Sequence, residues 1–152
     1  MYEVTSFKAE HGLAIGADLP DDPAVKMSVG QWGGAEWGEV EKKGEAYTLL
    51  KDGKPIGIAG VYQRHHGCWA AWMIRSKSLR GADMLPVHRF ALRFLDDFLY
   101  DDAHRRVEIT VLASFPAAIR WARMLGFERE GLMRCYDPAG QDHWLYSRVR
   151  NN

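Results

Sequence analysis

The sequence holds only two cysteines in 152 residues, no apolar run approaching a membrane span, and no excess of either charge. Each shortage excludes something. Cys68 and Cys135 form no CxxC pair and fit no Cys/His zinc spacing, so both read as reduced thiols rather than as a disulfide framework or a metal finger. No stretch reaches the roughly 18 apolar residues that a transmembrane helix needs. The opening MYEVTSFKAEHG lacks the positive region and apolar run of a signal peptide. A reducing, cytoplasmic setting without a membrane partner is therefore expected. Twenty basic residues balance twenty acidic ones, which argues against a general nucleic-acid footprint.

What is present is a globular balance. Hydrophobic residues make up 47% and charged residues 26%, which suits one domain with a sizeable core. Six tryptophans are many for this length. Indoles are costly to expose, so most are expected in the core and some along a cleft or interface.

Periodicity assigns the elements. Tyr2–Phe7 alternates as a short strand, and Lys8–Leu19 is a weak helix in which Gly12 and Gly16 each cost about 1 kcal/mol relative to alanine. Residues Pro20–Gly44, rich in glycine and proline, predict loops with a short helix over Trp37–Lys43. From Glu45 the pattern sharpens into a strand Ala46–Lys51, a turn Asp52-Gly53 and a returning strand Pro55–Gln63. Gly67–Ile74 is apolar on both faces, as a central strand is. A polar loop, Ser76–Ala82, leads into a helix over Asp83–Tyr100, with Asp83 as N-cap and Pro86 in the first turn. Arg106–Ala113 alternates as a strand, and Pro116–Leu125 is a short helix closed by Gly126. Glu130–Tyr136 and His143–Arg150 form a hairpin across Asp137-Pro138-Ala139-Gly140. The strand–helix–strand passage through Asp83–Tyr100 implies a parallel or splayed central pair covered by helices.

That order, with the string ITVLASFPAAIRWARMLGFEREG, resembles the second half of a GNAT N-acetyltransferase domain. Ala118-Ile119, Leu125-Gly126-Phe127 and Glu130-Gly131 match the family's spacing. The likeness covers Glu45–Arg150. Residues 1–44 match only in length and would form the acceptor side, where Asp21, Asp22 or Glu36 would attract a cation. The resemblance implies one domain over residues 1–152, α/β (α+β) in class, with a mixed, mostly antiparallel central sheet, splayed central strands and helices on both faces. It further implies transfer of an acetyl group from acetyl-CoA to a primary amine of a small molecule or protein, with no metal. In the family, the splay frees strand amides for the acyl-pantetheine arm, and the next loop and helix N-terminus hold the pyrophosphate. Carried onto this chain, Met73 and Ile74 would offer the amides, and Arg75, Lys77, Arg80, Gly81 and Ala82 would hold the phosphates. Ser114 stands beside the position of the family's asparagine.

The chain departs from the family at two places. The family's loop reads Arg/Gln-x-x-Gly-x-Gly/Ala, and alignment on Arg80-Gly81 puts Asp83 and Leu85 where small residues belong. An aspartate there repels a pyrophosphate unless it turns away to cap the helix. On the short helix, Phe115 replaces the family's asparagine, and Ala122 replaces its tyrosine, which protonates the departing thiolate. Candidate catalytic groups are Glu108 and His65 as bases for the amine and Tyr136 as a proton donor. A plain structural use stands beside the two bases: Glu108 paired with Arg105, Arg106 or another base, and His65 an exposed turn histidine. Cys135 would need an activating base to act as a nucleophile, and His65-His66 lack the further ligands of a zinc site.

A second likeness points elsewhere. The span GCWAAWMIRSKSLR, the long helix after it and FPAAIRWARMLGF are similar in order and spacing to the internal virion protein A family of T7-like phages. That resemblance implies a non-catalytic use of the fold, in host cytoplasm or a virion, with a virion protein, a host protein or a second copy of the chain as partner.

Overall fold

Strand pairing organises the chain. The computed structural model describes residues 1–150. Among them run β1 (Tyr2–Ser6), α1 (Ala9–Gly16), α2 (Pro23–Met27), α3 (Gly34–Lys43), β2 (Ala46–Lys51), β3 (Lys54–His65), β4 (Cys68–Arg75), α4 (Met84–Phe98), β5 (Arg106–Leu112), α5 (Pro116–Met124), β6 (Glu128–Met133) and β7 (His143–Val149). The strands follow the order β1-β2-β3-β4-β5-β7-β6. β1 with β2, β2 with β3, β5 with β7 and β6 with β7 are antiparallel, while β4 with β5 is parallel. The mixed, mostly antiparallel sheet expected from the sequence is present. Its parallel pair is the one implied by the crossover through α4.

The chain divides into two compact units, and β3 and β4 each contribute to both. The first comprises Met1–Val61 and Trp72–Val87. Its interior is built from Phe7, Ile15, Trp37, Ala46 and Ile58, with Leu49, Ile56 and Leu79 forming a second cluster. Residues 20–44 are more ordered than their composition suggests. Asp22 caps α2 by accepting from Ala24 N–H at 2.9 Å, with Pro23 in the first turn. α3 begins at Gly34, three residues before the predicted start. The buried Trp37 explains both the early helix and a glycine: a Cβ at Gly12 would stand 2.2 Å from the Trp37 ring. Tertiary packing of that indole supplies what local propensity lacks.

The second unit comprises Tyr62–Ala71 and the chain from His88 onward. α4 and α5 pack on β5 and β7 through Leu95, Leu99, Val107, Val111, Ala122, Leu125, Phe127 and Tyr146. At the end of α4 the Phe98 and His104 rings stack 3.8 Å apart, with Trp69 edge-on to both. The last hairpin is looser than predicted. Its strands end at Met133 and resume at His143, because Asp137 gathers the connection by accepting from Ala139 and Gln141 N–H and from the His143 ring.

Candidate functional site

The loop after β4 lies in the first unit, and its side chains are held from below. Asp18, just beyond α1, accepts from the Ser76 hydroxyl and from the Ser78 hydroxyl at 2.7 Å. These two bonds hold its carboxyl below the usual range. Lys77 gives its N–H to the Asp18 carbonyl at 2.8 Å and places its ammonium 3.5 Å from the Asp18 carboxylate. Lys77, a predicted phosphate ligand, therefore already has an anionic partner. Arg75 and Arg80 make no ion pair among the described residues.

Asp83 answers the question raised by its sequence position. It is 1% exposed and turned into the first unit. Its carboxylate accepts from the Tyr2 hydroxyl, from Arg80 N–H at 2.8 Å and from the Lys51 ammonium at 3.0 Å. The Tyr2 and Arg80 bonds lead in holding the carboxyl at about 2, against the cost of burial. The predicted N-cap is corrected in detail: Arg80 is the cap residue of a 3-10 turn over Gly81–Asp83, and Asp83 reaches back to it from the third position. The first N–H groups of such a segment have no intrahelical partner. Gly81 and Ala82 are exposed there, and Gly81 faces open space. Leu85, the other residue out of pattern, is exposed.

In the second unit β4 and β5 pair in parallel. Cys68, Trp69 and Ala70 register with Arg106, Val107 and Glu108. Glu108 projects from the face opposite Val107 and is clasped by Arg64 at 3.0 Å and Arg106 at 2.7 Å. Arg106 also grips Glu130 through both terminal nitrogens, and the Ser147 hydroxyl donates to the same carboxylate. This arrangement keeps Arg106 charged throughout and holds the Glu130 carboxyl at about 2. His65 is exposed at the end of β3, its Nδ1 3.3 Å from the His66 carbonyl. Tyr136 is 48% exposed, its ring 5.3 Å from that of His143. Ser114 is exposed just before α5.

No family model matches the chain, and no curated protein does. Solved structures do. An acetyltransferase (GNAT family) from Bacillus anthracis is 12% identical with a TM-score of 0.73, covering 99% of this chain and 96% of its own. An N-acetyltransferase from Staphylococcus aureus is 15% identical with a TM-score of 0.74, and the match covers 99% of both chains. The fold is that of the GNAT acetyltransferases. A spermidine N-acetyltransferase chimera from Vibrio cholerae agrees as well, at 14% identity and a TM-score of 0.75, covering 98% of this chain and 95% of its own.

Against the GNAT motif, the short helix is reassigned to packing. Ala122, at the tyrosine position, is 1% exposed within the second unit's core, so no acid is offered there. Phe115, at the asparagine position, is exposed and caps α5 with no side-chain bond. Sequence reasoning missed Asp18, Tyr2 and Lys51. Asp18 lies 58 residues from Ser76 and Tyr2 lies 81 from Asp83, and no local signal links such positions. Among the described residues no metal-ligating cluster is found and no helix is long and apolar enough to cross a membrane.

Proposed function

We propose that the protein is an N-acetyltransferase that moves an acetyl group from acetyl-CoA to a primary amine of a small molecule or protein. The observation that carries this is Asp83. The one acidic residue in the loop that would receive the pyrophosphate is buried and neutralised from inside, which leaves Arg75, Arg80 and the Gly81 and Ala82 amides for an anion. The GNAT fold supports the same reading.

Acetyl-CoA enters as a substrate. In the proposed reaction the neutral amine adds to the thioester carbonyl, and the C–S bond then breaks to give the amide and the thiolate. Amides at Met73 and Ile74 would stabilise the oxyanion of the tetrahedral intermediate. The amine proton would pass to His65, or through water to Glu108. With Ala122 in place of an acid, Tyr136 is the remaining side chain proposed to return a proton to the thiolate.

Calorimetry with acetyl-CoA tests the reading, with micromolar binding expected. Absence of heat at millimolar ligand sinks it. That result would favour the second reading, a non-catalytic GNAT-like protein of a phage virion or host complex. Ala122 and the engaged Lys77 are the observations on that side.

A further inference from the structure

Asp83 holds a carboxylate inside the first unit, and no step above uses it chemically. Donors from three places in the chain converge on it: the Tyr2 hydroxyl from β1, the Lys51 ammonium from the end of β2, and the Arg80 N–H of its own turn. Tyr2 and Lys51 are themselves a registered pair across β1 and β2. The bond to Arg80 N–H fixes the bend at Arg80, Gly81 and Ala82, and the other two tie that bend to two paired strands. The GNAT loop described above has small residues at this point, where backbone freedom lets the chain approach a phosphate. Here a buried, triply bonded carboxylate sets the bend instead.

We propose that Asp83 is a positioning residue for the anionic end of the cosubstrate, anchored by Tyr2 and Lys51 and holding the Gly81 and Ala82 amides in place before ligand arrives. The proposal rests on the acetyl-CoA reading above. Its physical content is preorganisation: the loop is ordered on folding, so less order must be created on binding. A charge argument taken alone has the opposite sign. A carboxylate near a pyrophosphate repels it, so removing the carboxylate would tighten binding.

The sign of one measurement separates these. Calorimetry on the full chain compares CoA with pantetheine, which lacks the pyrophosphate and nucleotide. Asp83→Ala is expected to weaken CoA about tenfold, the size of a lost helix cap, and to leave pantetheine unchanged. Asp83→Asn, which keeps an acceptor for Arg80 N–H, is expected to recover most of that loss. Tyr2→Phe keeps the charge and loosens the anchor, and is expected to weaken CoA by about two- to threefold, on the order of one hydrogen bond. Should Asp83→Ala fail to fold, Tyr2→Phe decides alone. A gain in CoA affinity on removing the carboxylate, CoA binding by Tyr2→Phe equal to wild type, or parallel losses of CoA and pantetheine would each overturn the proposal. Wild-type protein that takes pantetheine but not CoA would instead refute the phosphate-loop reading and take the proposal with it.

Discussion

The two units use charge differently. All seven lysines lie in the first unit, and eleven of the thirteen arginines lie in the second. In the first, lysine ammonium groups act as point charges on carboxylates that also accept from hydroxyl or backbone donors, as at Asp83 and Asp18. In the second, guanidinium forks bridge several partners: Arg106 spans Glu108 and Glu130, and Arg129 lies 3.9 Å over the Trp144 ring while donating to the Tyr146 hydroxyl. A planar fork with several donors suits bridging between strands, and a compact ammonium suits a single pocket. The polar devices of the first unit therefore hold a loop, and those of the second hold a sheet.

Three perturbations test that contrast, from the largest effect to the smallest. Trp37→Ala removes a fully buried indole from the first unit and is expected to cost about 3–5 kcal/mol in urea denaturation. Hydrogen exchange should rise first in α1, α3 and β2. Equal loss of protection in β5 and β7 would show the units to be one cooperative body, and the contrast would fail. Arg106→Met leaves Glu108 and Glu130 without their shared guanidinium. Because that side chain is partly exposed, the expected cost is about 2–3 kcal/mol, below that of breaking a fully buried pair. The loss of protection should be confined to β5, β6 and β7.

The smallest effect is on the acid limb. Asp83 and Glu130 have folded-state values of about 2, against ordinary values of 3.8 and 4.5. Their contributions are complete above those ordinary values and are lost as pH falls toward 2. Asp83→Asn and Glu130→Gln should each flatten the fall in urea midpoint between about pH 5 and pH 3. An acid limb unchanged in both variants would show that neither carboxylate matters to folding in this range.

Much of the chain from Glu45 was legible because its elements announce themselves locally. Asp52-Gly53 marked the hairpin, the apolar run of β4 marked a central strand, and Gly126 marked the end of α5. Residues 20–44 were illegible because their helices depend on Trp37 entering a core assembled from β1, α1 and β2. The candidate site divides the same way. Its loop could be located from Arg80-Gly81, but the partner of each charge could not. Glu108 was expected beside a base, and Arg106 is two residues away; Arg64 reaches it from another strand.

From Glu45 onward the sequence alone determined the order of elements and the residues out of place in the loop, since each depends on neighbours within a few positions. Only the tertiary structure decided the orientation of Asp83. A carboxylate at a helix start is compatible with facing outward toward a phosphate or inward toward a lysine. Burial with Tyr2 and Lys51, brought from 81 and 32 residues away, made the inward state the one with its charge compensated.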